Sequence, residues 1–281
     1  LLYLYITDDI DSNIRLFADD CILYREIVDD ADTDRLQADI DKLYSWSNTW
    51  QMNFNPKKCH VLSISRKRQL PFLDYRLGSE PLTVVDSYPY LGVMVSSDLR
   101  CHRHIDSICI RATSILNLVR RNIYQCSEEV KALAYLSLVR PHLEYAAAAW
   151  DPYTQRDSDQ LEKIQRRAAR FVKSDYRRTS SVTEFVRDLN WERLSDRRRN
   201  ARLAVFFKAL HQLIAIPIDH LQKPTRCTRR SGASSFIAIC SSIDSYKFSF
   251  YPRTLVDWNS LPEPVRLKSS LGSFRGALRS V

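Results

Sequence analysis

Glycine is nearly missing from this chain: five residues in 281, at positions 78, 92, 232, 272 and 276, against a usual ~7%. Loops that wrap a phosphate or a nucleophile with several glycines cannot be drawn from so few. G-x-G-x-x-G, G-x-x-x-x-G-K-[ST] and G-x-S-x-G do not occur, which excludes dinucleotide-binding Rossmann, P-loop and α/β-hydrolase chemistry. H-E-x-x-H is absent as well. Long apolar runs are also lacking, none approaching the ~18 residues of a membrane span. The seven cysteines (21, 59, 101, 109, 126, 227 and 240) form no C-x-x-C pair. An odd, scattered set in a large chain argues against a disulfide scaffold and for reduced thiols, hence an intracellular protein of cytoplasm or nucleus that is not secreted.

What is present is an ordinary globular balance, 44% hydrophobic and 27% charged, enough to bury a core and, at this length, more than one. The net charge of +9 is unevenly spread. Residues 1 to 60 carry 12 Asp/Glu against 6 Lys/Arg, leaving 21 acids and 36 bases for the remainder. The runs Arg166-Arg167, Arg177-Arg178, Arg197-Arg198-Arg199 and Arg229-Arg230 suit a polyanion, with nucleic acid the first partner to consider. An acidic membrane surface comes second, because the bases are not gathered on one amphipathic helix with an apolar aromatic face. The chain begins Leu1-Leu2-Tyr3-Leu4-Tyr5-Ile6, without an initiator methionine or a charged lead into a signal-like core. It is therefore expected to be a piece of a longer polypeptide.

Residues 14 to 25 place β-formers on both sides of Asp19-Asp20, which predicts a strand, acidic turn, strand hairpin. From Ala31 to Trp50, Leu36, Ile40, Leu43 and Trp50 recur at helical spacing behind an acid-rich start. Asn55-Pro56 breaks the chain, and strands are expected at Cys59 to Ser65, Leu82 to Val85 and Tyr90 to Val95. Beyond about residue 104 the period becomes helical, with helices expected at 105–122, 128–149, 158–173, 182–188 and 192–214. Pro141 should kink or divide the second of these. From Thr225 the chain is Ser-rich, then aromatic around Phe248, Phe250, Tyr251 and Trp258, and no element is expected there. The fold class is α+β.

Two adjacent carboxylates at a hairpin turn can hold a divalent cation through hard oxygen ligands, and Mg²⁺ suits them; taken alone they fit a solvated acidic turn equally. Phe17-Ala18-Asp19-Asp20, however, resembles the F/Y-A-D-D signature of reverse transcriptases, and the chain beyond it is similar, almost to its end, to the enzymes of non-LTR (LINE, jockey-like) retrotransposons. Leu4-Tyr5-Ile6-Thr7-Asp8-Asp9 resembles the close of the preceding family motif. Trp50-Gln51-Met52-Asn53-Phe54-Asn55 with Lys58-Cys59 resembles the next palm motif, and Tyr90-Leu91-Gly92 the primer-grip hairpin. Leu138-Val139-Arg140-Pro141, Leu143-Glu144-Tyr145, Trp150-Asp151-Pro152, and Leu161-Glu162 with Gln165-Arg166-Arg167-Ala168 resemble the helical region after the palm.

The resemblance implies a partial reverse transcriptase palm over 1–100, a helical thumb and basic nucleic-acid-binding region over 101–224, and a C-terminal tail region over 225–281. It implies extension of a DNA primer on an RNA template from deoxynucleoside triphosphates, by two-metal transfer with Mg²⁺, or Mn²⁺ in its place. Asp19 and Asp20 match the family's metal ligands. Lys58 matches the lysine that approaches the incoming phosphates, and Tyr90, Leu91 and Gly92 match the primer grip. The third family carboxylate, on an upstream palm strand, matches no residue here, nor do the fingers, so the chain alone is expected to be inactive. By their charge, Arg166, Arg167, Arg170 and Lys173 on one helix and Arg197, Arg198, Arg199 and Arg202 on another are candidates for phosphate tracking, though a solvated face would read the same. Cys101, His102, His104 and Cys109 match no standard zinc spacing. No membrane partner is expected, and oligomeric state is not legible. The competing expectation is a non-catalytic nucleic-acid-binding remnant of a degenerate element.

Overall fold

The β-formers around Asp19 pair as expected. In the computed structural model, which describes residues 9–65, 74–224 and 234–280, β1 (Asn13–Phe17) and β2 (Asp20–Tyr24) form an antiparallel hairpin with Phe17 opposite Asp20. The two-residue turn is Ala18-Asp19, with Ala18 in the left-handed region at φ 51°. Helix α1 (Asp30–Thr49) comes next, its first turn capped by the Asp29 carboxylate, which accepts from the Asp32 amide at 3.0 Å. The stripe that α1 buries is Asp39, Leu43 and Ser47. Trp50, expected on that stripe, is half exposed, because the helix ends before it.

Asp39 is the anchor of the hairpin. Its buried carboxylate accepts the amides of Ser12 at 2.8 Å and Asp11 at 3.2 Å, and the Lys42 ammonium at 3.0 Å. Arg25, just after β2, donates to Ser12 Oγ and Asp32, closing the same corner. Burial opposes the Asp39 charge, but these donors outweigh it and hold its carboxyl below the usual 3.8.

The other strands are short and pair two by two. β3 (His60–Leu62) runs parallel to β6 (Thr83–Val85), while β4 (Arg76–Leu77) pairs antiparallel with β5 (Glu80–Pro81). The β4–β5 turn needs Gly78, at φ 64° and so close to the Tyr44 ring that an added Cβ would lie 2.5 Å from it. The single strand expected at Tyr90 to Val95 is instead a hairpin of β7 (Ser87–Tyr90) and β8 (Val93–Ser96). Leu91 and Gly92 at its turn both have positive φ, 46° and 78°, the condition for a type I′ turn.

The chain divides into two compact units, Leu1–Arg100 and Cys101–Val281. The second unit is helical. α2 (His102–Asn122) buries Ile105, Cys109, Ala112, Leu116 and Val119 at three-to-four spacing and packs on α6 (Gln155–Val172), which turns Leu161, Ile164, Ala168 and Phe171 inward. The helix expected over 128–149 is broken twice. α3 (Glu128–Ala134) runs into a π-helical turn, Tyr135–Val139, then α4 (Arg140–Glu144), and after left-handed Ala146 comes α5 (Ala147–Trp150). Pro141 cannot donate to the carbonyl four residues back, and the ladder widens just ahead of it. Beyond α6 lie α7 (Val182–Asp188) and α8 (Leu194–Leu210). Glu162 of α6 accepts the Ser195 amide at 3.1 Å, capping α8 from outside.

Where no element was expected, four helices occur: α9 (Asp244–Lys247), α10 (Phe250–Ser260), α11 (Glu263–Arg266) and α12 (Leu271–Leu278). They do not form a separate tail. Leu255, Trp258, Val265, Phe274 and Leu278 share one buried cluster with Leu203, Phe206 and Phe207 of α8. Beneath this cluster lies a group of charges. Asp151 accepts Arg198 Nε at 2.9 Å and Arg202 Nη1 and forms an ion pair with Arg253 Nη1 at 3.3 Å, and Arg202 also reaches Asp257 of α10. Arg253 further donates to the carbonyls of Asp151 and Pro152.

These buried carboxylates have two measurable effects. Because the folded-state pKa of Asp39 lies below 3.8, its contribution to stability is whole above that value and is lost as the pH falls through the folded one. In Asp39→Asn, amide exchange of residues 11–25 should be faster at neutral pH and lose its acid dependence below about pH 4, read by hydrogen-exchange mass spectrometry. Asp151→Ala should lower the unfolding free energy by about 3–5 kcal/mol, because three arginines lose their shared acceptor, whereas Arg199→Ala at the half-exposed edge should cost about 1 kcal/mol or less. Urea denaturation distinguishes the two.

Candidate functional site

The hairpin turn presents both acids to solvent. Asp19 and Asp20 are exposed, and among the described residues neither carboxylate has a hydrogen-bond or ion-pair partner. Asp19 lies in the turn and Asp20 opens β2. Carboxylates are the hard oxygen donors that divalent cations such as Mg²⁺ take. Among the described residues no group of three or more His, Cys, Asp or Glu side chains gathers around a possible ion.

Lys58 ends a short 3₁₀ turn, Pro56–Lys58, which is capped by the Asn55 side chain. Its side chain is exposed and, among the described residues, free of carboxylates. Its carbonyl accepts the Tyr88 hydroxyl at 2.9 Å, and the next ring, His60, lies 4.8 Å from that of Tyr88. β7 is thereby tied to the Lys58 segment, which brings Lys58 and the Tyr90-Leu91-Gly92 turn into one neighbourhood. Burial pushes the Cys21 thiol up to about 11, and Cys59 is close enough to add to the shift. Cys21 follows Asp20, and Cys59 follows Lys58. The residues Leu4–Asp8 of the motif before the hairpin lie outside the described residues.

The eight basic candidates separate. Arg166 and Arg167 are exposed on α6 and, among the described residues, have no ion pair; Arg166 donates only to Thr183 Oγ1, at 3.3 Å. Arg170, half-buried, donates to the Arg177 carbonyl at 3.0 Å. Lys173 is paired with Glu128 at 2.9 Å. On α8 the expectation of a phosphate-tracking face is corrected. Arg198 and Arg202 are 1% and 2% exposed and engaged with Asp151, so they cannot reach a phosphate. Arg197 is held by Glu144, and Arg199 faces Asp257 at 3.4 Å. These arginines bind other helices of the same unit.

In the Cys101–Cys109 segment, as elsewhere among the described residues, no three possible metal ligands gather. His102 Nδ1 pairs with the buried Asp157 at 2.6 Å, and His104 packs edge-on against Trp150. Burial, with Asp106 and Asp157 adding, pushes the Cys109 thiol up to about 11. Cys21, Cys59, Cys109, Cys126 and Cys240 are free thiols, and among the described residues no helix is long and apolar enough to cross a membrane.

Sequence reasoning missed Asp39, the residue that sets where the acidic hairpin stands. The one available signal was an acid three residues before Lys42 and four before Leu43, on the apolar side of α1. Compared with models of protein families, with curated proteins and with solved structures, the chain matches none.

Proposed function

We propose that the chain carries the later palm and the helical thumb of an RNA-directed DNA polymerase of the non-LTR retrotransposon kind. The observation that carries this reading is the Phe17-Ala18-Asp19-Asp20 turn: a tight hairpin whose two carboxylates are exposed and, among the described residues, unpaired. Asp19 and Asp20 hold Mg²⁺, or Mn²⁺ in its place, which when bound supplies charge neutralisation at the triphosphate and acidifies the primer 3′-hydroxyl. Lys58, on its capped turn, brings an ammonium to the phosphates of the incoming nucleotide. The Tyr90-Leu91-Gly92 turn offers backbone groups to the primer terminus, where a glycine permits close approach. By the family resemblance a third carboxylate belongs to this site, and no residue of the 281 matches it.

A second reading, nucleic-acid binding without catalysis, is favoured by charge. Cys101–Val281 carries 31 Lys/Arg against 17 Asp/Glu, and Arg166 and Arg167 are exposed on its surface and, among the described residues, in no ion pair.

The two readings differ in what Mn²⁺ does. On a labelled DNA primer annealed to RNA, the polymerase reading expects Mn²⁺ to tighten binding with the next deoxynucleoside triphosphate present, and Asp19→Asn to abolish that gain; no net primer extension is expected from the 281-residue chain. Binding indifferent to Mn²⁺ and to Asp19→Asn overturns the polymerase reading and leaves the second. For the basic surface, replacing Arg166 and Arg167 by Ala should reduce the slope of log K against log salt by about 1.5–2 on a duplex. The ion-paired Arg197 and Arg199, replaced together, should leave the slope unchanged. Base selectivity should not move in either variant.

A further inference from the structure

A cleft of about 630 Å³ opens in the helical unit where α2 ends beside the end of α6. Its volume lies in the range of small-ligand sites, ~300–1,000 Å³. Asn117, Arg120, Arg121 and Tyr124 line it from α2 and the residues just after, and Phe171 and Tyr176 from the other side. No acid lines it. Among the described residues neither Arg120 nor Arg121 is paired with a carboxylate, while Glu128 and Asp175 are engaged elsewhere. Glu128 is paired with Lys173 at 2.9 Å, and Asp175 with Arg177 at 2.7 Å and the Ser180 hydroxyl at 2.7 Å. Lys131, buried behind the cleft, lies 5.4 Å from the Phe171 ring centre and adds to the positive field.

Two phenol rings complete the arrangement. Tyr124 and Tyr176 are 62% and 54% exposed, an unusual outlay of aromatic surface beside two guanidinium groups. The Arg120 guanidinium carbon stands 5.4 Å from the centre of the Tyr176 ring. A stacked guanidinium keeps its in-plane N–H donors, which are the ones that fork onto a phosphate. The helix dipole alone explains arginines at the end of α2. It does not explain exposed rings beside them.

We propose that this cleft holds a nucleotide of a single-stranded nucleic acid, its base stacked on Tyr124 or Tyr176 and its phosphate held by Arg120 and Arg121. Stacking on an aromatic and neutralising the backbone is how single strands are bound without regard to sequence. An acidic peptide would use the arginines and leave the rings idle. The Asn117 amide, on the same wall, can donate to and accept from a base edge or sugar. The site lies within the helical unit and stands whether or not Asp19 and Asp20 carry chemistry.

The test uses the whole chain and a fluorescein-labelled oligodeoxythymidylate of about 12 nucleotides, within the span of one single-strand site. Of Tyr124→Leu and Tyr176→Leu, the one that removes the stacking ring should weaken binding about fivefold or more, with the salt slope kept; Tyr124→Phe and Tyr176→Phe should retain affinity. Arg121→Ala should flatten the salt slope by about 0.7. An iododeoxyuridine-substituted oligonucleotide should photocrosslink to Tyr124 or Tyr176, read by mass spectrometry, which separates this site from the free arginines of α6. All three substituted side chains are exposed, and circular dichroism checks the fold. Wild-type affinity in both Leu variants, or crosslinks confined to other segments, overturns the proposal. So does displacement by a glutamate-rich peptide as effective as unlabelled oligonucleotide, which would make the cleft an acidic-peptide site. Thymidine monophosphate displacing the probe at equal concentration would assign the cleft to free nucleotides and overturn the strand.

Discussion

Everything in the helical unit turns on the carboxylate of Asp151. It lies at the end of α5, almost wholly enclosed, and three guanidinium groups converge on it from α8 and α10. A single buried acid facing Arg198 or Arg202 would gain little over its desolvation, but a shared acceptor that also aligns three helices does more than neutralise. It fixes which face of α8 turns inward, and with that the position of Phe206 and Phe207, around which α10 and α12 assemble. The arginine-rich stretch that resembles a nucleic-acid tail is thus half scaffold.

How much of this was legible depends on whether the signal was local. The acidic hairpin was, because β-formers flank an acidic turn and pair with one another. α6 was too, since Leu161, Ile164, Ala168 and Phe171 repeat on one face. The burial of Arg198 and Arg202 was not, for its cause lies 47 and 55 residues away, in Asp151 and Asp257, and an arginine run by itself reads as surface. The C-terminal helices hid behind Pro252, Pro262 and Pro264, which look like breakers; Pro252 is the third residue of α10, where no amide is yet required. The β7–β8 turn was obscured by Leu91, a bulky residue at positive φ, with Gly92 the one clue.

Of the candidate site, the residue types were legible and their support was not. Asp19, Asp20, Lys58 and the Tyr90 turn announce themselves by motif, while the groups that hold them, Asp39 under the hairpin and Tyr88 on the Lys58 carbonyl, carry no motif at all. The surface arginines divide by the same logic: an acid within reach in space makes one structural, and its absence leaves the next one free for a ligand.

The π-helical turn before Pro141 has a consequence for spacing. A wide turn holds one residue more than an α-turn of equal height, so the helix beyond it is rotated by about 100° from the course α3 would have taken. Tyr135, whose hydroxyl bonds Gln165, and Leu143, fully enclosed, face the same core because of that extra residue. Between Ala134 and Leu143 the count of residues is itself a structural element, and losing one there would swing Leu143 toward water as surely as changing its identity.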